Sequence, residues 1–208
     1  MQNELKSVTN AIIAVSLFLF LLMEFSPFLR SNILASFGLY LPSAISDWEL
    51  WRLITYAFIH IGFINLLLNL VLFRLLARPV EILIGGQSLL LMYFFSVLGG
   101  GILQSLTHLH EPSMFISSAA GVYGVAIVYS VYFPDRFLIW NGLKIKYLIW
   151  FSSFGAVISL FFESPGWSSL GGIVVGAIYA RVTREKYALR SQEVQVEGPT
   201  FPQDWPME

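Results

Sequence analysis

The stretch SSAAGVYG, residues 117–124, lies near the start of an apolar run, FISSAAGVYGVAIVYSVYF (115–133). Six of its eight residues are Ser, Ala or Gly, where a lipid-facing helix would carry Leu, Ile or Phe. Ala120 and Gly124 stand four apart, as do Ser117 and Gly121, so the small residues share one helix face. A second stripe, Ser168, Gly172, Gly176 and Ala180, recurs at the same spacing near the C-terminal end. Lipid gives helices no hydrophobic reason to associate, so close backbone approach between small residues is what holds them. The two stripes predict two helices packed face to face, closer than the ~8–10 Å of ordinary helix pairs.

Composition places these helices in a membrane. The chain has 208 residues, 56% of them hydrophobic and only 12% charged. A soluble domain carries about 25% charged residues. Net charge is −1, which leaves no basic surface for nucleic acid. With no cysteine, disulfides, thiolate catalysis and Cys-ligated zinc are excluded. A spanning helix needs about 17–25 mostly apolar residues. Six runs qualify or come close: 11–30, 56–77, 88–108, 115–133, 147–162 and 168–182. The first lacks an A-x-A-like cleavage site and reads as a retained helix.

Basic residues orient the bundle, because short cytoplasmic loops collect Lys and Arg. With the N-terminus inside, ten of the twelve Lys and Arg fall on the inner side, and only Arg30 and Arg52 fall outside. The expected fold is an all-α bundle of six transmembrane helices with both termini cytoplasmic, in a bacterial-type plasma membrane. Residues 1–10 precede the membrane domain at 11–184. Within it, the outer loop 31–55 reads as interfacial, its Trp and Tyr interleaved with Asp47, Glu49 and Arg52. Residues 185–208 are polar, contain three prolines and read as a cytoplasmic tail. Phe201 and Trp205 stand out there as a docking pair for a partner.

Polar groups inside the spans are few. Asn65 and Asn69, four apart on the second run, share a face. They serve either as interhelical glue, worth about 1 kcal/mol each, or as donors lining a wet cavity. A helical reading puts His60 on roughly the opposite side. His108, His110 and Glu111 are explained by a solvated loop better than by a metal. No metal and no cofactor are expected.

Taken in order, the motifs resemble the rhomboid intramembrane serine protease superfamily over about residues 10–184. They are Trp51-Arg52, then His60, Asn65 and Asn69 as H-x4-N-x3-N, then RPVE at 78–81 ending in Glu81. GGG at 99–101, SSAAGVYG, and SLGG followed by Gly176 complete the set. The resemblance implies a Ser–His dyad, with the nucleophile in a G-x-S-G segment at the start of the fourth span and the base on the sixth. It also implies an oxyanion-binding Asn on the second span with a His four residues before it.

Carried over without gaps, anchored by Tyr123 and Gly124, the nucleophile position falls on Ala119, the preceding glycine on Ser117 and the following one on Ala120. Anchored by Gly172 and Gly176, the base position falls on Ser169. The oxyanion Asn is kept as Asn69, the His before it becomes Asn65, and the ring that packs on the base is kept as Tyr123. Gly121 completes the small face, and Trp51, Arg52, His60 and Glu81 fall to structural roles. Alanine has no lone pair to attack a carbonyl, and serine is no general base at neutral pH. A His110–Ser118 pair is a lesser substitute.

The resemblance therefore implies a pseudoprotease. Like the derlins and iRhoms, it would bind transmembrane clients or sit as a subunit of a membrane complex, with the bilayer as its other partner. An atypical or inactivated intramembrane protease is the alternative. A transporter or channel ranks third, because ionisable groups are nearly absent from the spans.

Overall fold

A computed structural model describes residues 7–40, 44, 47–107, 114–134 and 166–197. The fifth expected span, the His108–His110 loop, and Phe201 with Trp205 lie outside the described residues. The elements are α1 (Val8–Phe25), α2 (Pro27–Phe37), β1 (Leu39–Tyr40) and α3 (Arg52–Thr55), which runs into a 3-10 turn at Tyr56–Phe58. Then come α4 (Phe63–Ile84), α5 (Gly86–Thr107), β2 (Met114–Phe115), α6 (Ala119–Tyr132) and α7 (Gly166–Glu197).

Among the described residues, α1 and α5 are each long and apolar enough to cross a membrane. The α3 segment and α4, joined through a 100° bend, make a third if taken as one broken span.

Local chemistry sets the boundaries. The first apolar run does not continue through Pro27. Ser26 is extended, at φ −153° and ψ 132°, as the residue before a proline prefers, and Pro27 opens α2. The second run breaks as well. Residues 59–62 are not helical, and Gly62, at φ 86°, turns the chain into α4. His60 therefore lies in this break and not on the helix. SSAAGVYG also starts later than its small residues suggest, because α6 begins at Ala119 and Ser118 is its N-cap. At the other end α7 runs on to Glu197, so residues 185–197, placed in a tail by their polarity, continue the helix. Tyr187 is buried there, edge-on to Tyr132.

The segment between α2 and α4 is stitched rather than loose. β1 pairs antiparallel with β2, Leu39 opposite Phe115. Trp51 Nε1 donates to the Ser36 carbonyl at 3.0 Å, Arg52 Nη1 to Gly38 at 2.8 Å, and Thr55 Oγ1 to Phe37 at 2.8 Å. These are carbonyls at the end of α2, which have no acceptor role left inside the helix. Arg52 Nε also meets Glu49 at 2.6 Å. The WR pair thus closes the C-terminus of α2, while Trp48, Leu50 and Trp51 stay exposed.

At the opposite end, Glu81 of α4 closes the N-terminus of α1. Its carboxylate accepts from Ser7 Oγ (2.6 Å), Val8 N (2.7 Å), Thr9 N (3.2 Å) and Thr9 Oγ1 (2.7 Å). A carboxylate there satisfies amides that the helix cannot and meets the positive end of its dipole.

Candidate functional site: two faces of α6

The two small-residue stripes meet, as their spacing predicts. A Cβ on Gly172 would strike the Ala120 carbonyl, and one on Gly176 would stand 2.5 Å from the Gly124 carbonyl. Helix α5 closes the same contact. A Cβ on Gly100 would reach the Ala120 side chain and lie 2.6 Å from the Ser168 carbonyl, and one on Gly171 would lie 2.5 Å from the Gly99 carbonyl. A Cβ on Gly121 would strike the Tyr93 ring. Ser168 is fully buried in this seam, its N–H donating to Gln104 at 3.2 Å and its hydroxyl 3.2 Å from the Tyr56 hydroxyl. Ala119 is next to Ala120, and Ser169 is three residues before Gly172, so both lie at the end of the seam where α6 and α7 begin. Ser169 is buried and Ala119 is half-buried, as is Tyr123.

The other side of α6 is built differently. His60 and Ser118 are both buried, and His60 Nε2 lies 3.0 Å from Ser118 Oγ. His60 Nδ1 lies 3.3 Å from the Phe58 carbonyl, which can only accept. Nδ1 therefore carries the proton, and Nε2 is left to accept from the Ser118 hydroxyl. A hydroxyl, a ring base and a carbonyl that orients the base follow one another in line.

The sequence offered Ser118 a partner in His110 and gave His60 a structural role, and did not pair the two. Helical periodicity turned His60 away from the interior, but the period has no meaning across the break at 59–62. The signal that could have found it is Gly62, two residues on, which marks a change of direction.

A small cavity, with room for about one water molecule, lies beside the pair. Ile12 and Ser16 of α1, Asn69, Leu70 and Phe73 of α4, Tyr93 of α5 and Val122 of α6 line it together with His60 and Ser118. Asn69 reaches this wall, but its Nδ2 donates to the Asn65 carbonyl at 2.9 Å and to Asn65 Oδ1 at 3.0 Å. The two amides satisfy each other on one helix face, with Asn65 exposed. No group of three metal-ligating side chains occurs among the described residues.

With a glycine seam joining α5, α6 and α7, a capped outer loop and an Asn pair on α4, the comparison with known families is direct. The Rhomboid domain family matches residues 47–186. The chain belongs to the rhomboid family.

Several family relatives carry informative names. Human "Rhomboid-related protein 3" is 28% identical over 163 residues, covering 70% of this chain and 39% of that protein. "Rhomboid-like protease 3" of Toxoplasma gondii is 29% identical over 141 residues, covering 64% of this chain and 51% of that protein. "Inactive rhomboid-related protein 2" of Caenorhabditis elegans is 26% identical over 152 residues, covering 66% and 42%. The chain thus spans about half or less of the length of these relatives, all of them eukaryotic. Rhomboid membership and the apolar helices make the chain an integral membrane protein.

Proposed function

We propose that this chain is a rhomboid pseudoprotease that binds transmembrane partners, as a client adaptor or as a fixed subunit of a membrane complex, without cutting peptide bonds. One observation carries the reading: α6 and α7 pack backbone to backbone at Ala120 and Gly172, and the gap-free alignment on the family pattern puts Ala119 and Ser169 where a Ser–His dyad would use that contact. Removing single members of a catalytic serine unit already costs most of the rate, so losing both leaves nothing for amide hydrolysis. The relative named as inactive supports the same direction. The full domain has six spans with both termini cytoplasmic, on the ten-to-two split of basic residues. The partner-binding face is the outer wall of α4, where Asn65 is flanked by Ile64 and Leu68, exposed at 73% and 65%. An amide pair on such a wall offers a partner helix hydrogen bonds that lipid cannot.

The test joins chemistry to binding. In liposomes the unmodified protein leaves a single-span rhomboid substrate uncut. The double variant Ala119→Ser with Ser169→His gains measurable cleavage, and neither single variant equals it. Photo-crosslinkers at Ile64 and Leu68 trap a defined membrane protein under native expression. Cleavage by the unmodified protein, or crosslinks to lipid alone, overturns the respective half of the proposal. Reporter fusions after residues 30 and 110 read outside and a C-terminal fusion reads inside. A C-terminal fusion on the outer side refutes the six-span topology.

A further inference from the structure

The end of the bundle where α4 stops carries charges that partner binding does not use. We infer that Arg74, Arg78 and Arg190 form a binding site for the phosphate of an anionic phospholipid, at the junction of α1, α4 and α7.

The placement on α4 comes first. Arg74 and Arg78 are four apart, and they share one helix face with Val71 and Leu75. Val71 and Leu75 are exposed at 59% and 41%, and Arg74 is exposed beside them. This face passes from apolar side chains to cations within about two turns, roughly 10 Å of helix. A phospholipid has the same profile, with an apolar chain that ends in a charged headgroup. A chain lying along Val71 and Leu75 brings its phosphate to the level of the guanidiniums.

The third cation comes from the part of α7 beyond residue 184. Arg190 Nη2 donates to the Ile82 carbonyl at 3.2 Å. Ile82 is four residues beyond Arg78, and its carbonyl is among the last of α4, which lack partners inside the helix. The contact holds Arg190 at the foot of the same helix. Helix α1 braces the other two cations. Arg74 Nη1 donates to Asn10 Oδ1, and Arg78 Nη1 lies 3.5 Å from Glu81, the carboxylate that closes the start of α1. The fold therefore positions all three side chains before a ligand arrives, which lowers the ordering cost of binding.

Charge selects the ligand. Among the described residues of this junction, Arg74, Arg78 and Arg190 stand against one carboxylate, Glu81, so the junction is positive. A guanidinium offers a planar fork of N–H donors that matches two phosphate oxygens. Basic sites between membrane helices take anionic headgroups for this reason. A phosphatidylcholine headgroup brings its own cation into the same field, so phosphatidylglycerol is favoured over it. The topology proposed above makes this the inner leaflet, and the binding itself does not depend on which leaflet it is. Partner binding uses Ile64, Asn65 and Leu68 near the other end of α4, so the two proposals stand or fall separately.

The experiment uses the full chain in mild detergent with dioleoyl phosphatidylglycerol or dioleoyl phosphatidylcholine added. Native mass spectrometry reads lipid retention. Thermal unfolding reads stabilisation, because a ligand of the folded state raises the melting temperature. The unmodified protein retains phosphatidylglycerol about tenfold better than phosphatidylcholine and melts higher in its presence. The double variant Arg74→Gln with Arg190→Gln keeps donors for Asn10 and the Ile82 carbonyl but removes two charges, and the preference disappears. Arg74→Lys with Arg190→Lys keeps most of it. Arg30→Gln, at the opposite end of α1, leaves it unchanged. Equal retention of the two lipids by the unmodified protein overturns the inference, and this readout stands even if the double Gln variant fails to fold. A preference that survives in the folded double Gln variant overturns it as well. An equal rise in melting temperature with inorganic phosphate at the same concentration makes this a soluble-anion site and overturns the lipid assignment. Client crosslinking at Ile64, unchanged in the double Gln variant, separates these outcomes from the failure of the pseudoprotease proposal.

Discussion

The two sides of α6 solve different problems with the same residue types. Toward α5 and α7 it presents Ala120 and Gly124, and the backbones come so close that an added methyl would strike main chain or its neighbours. Toward α4 and α1 it presents Ser118 and Val122, and here a pocket remains. The first side is closed, held by dispersion between small groups and by the Tyr132 hydroxyl, 2.9 Å from Thr183 Oγ1 of α7. The second is looser and held by hydrogen bonds, one from Ser118 to His60 and a cluster at Glu81 that fastens α1. In lipid, tight packing and polar pairing are the two available adhesives. The α4 side relies on polar pairing, and the α7 side combines backbone packing with hydrogen bonds from Tyr132 to Thr183 and the Ala180 carbonyl.

The contrast can be broken most forcefully at the closed side. Gly172→Leu drives four carbons into the Ala120 carbonyl, and the loss is expected to reach about 3 kcal/mol or prevent folding outright. Thermal unfolding in detergent, followed by gel filtration, measures it. A variant that melts within a few degrees of the parent would show that the seam can open.

The inner anchor of the looser side comes next. Glu81→Gln keeps the shape but removes the charge and one acceptor site that Ser7, Val8 and Thr9 share. Weakened buried hydrogen bonds to a charged group put the cost at about 2 kcal/mol. Hydrogen exchange should speed up in the first turns of α1 while the α6–α7 seam stays protected. Uniform loss of protection across all helices would mean that the two sides are not separable.

The smallest effect belongs to the amide pair. Asn65→Leu and Asn69→Leu each move stability little, and their double-mutant cycle should return a coupling of about 0.2–0.5 kcal/mol, the usual size for an i,i+4 side-chain pair on one helix. A coupling several times larger would make the pair a structural core element and weaken its candidacy as a partner-facing feature.

Much of this was legible in the residues alone. Four-residue spacing of Ala, Ser and Gly is a property of one helix, and it already says which face must meet another backbone. The seam between α6 and α7 followed from Ala120, Gly124, Gly172 and Gly176 without coordinates. Membrane residence followed from composition, because charge that cannot be hydrated is not put into lipid.

What needed the tertiary structure was every contact made across a break. Pro27 and Gly62 interrupt the apolar runs, and beyond a break the helical period no longer predicts direction. His60, two residues before Gly62, therefore turns inward to Ser118 when a continuous helix would have turned it out. Glu81 reaches the start of α1 across 72 to 74 residues of chain, and Trp51 and Arg52 reach the end of α2 across 15 and 14. A helix end declares that its amides or carbonyls need partners, but not which distant side chain will supply them. That choice is made by how the helices pack.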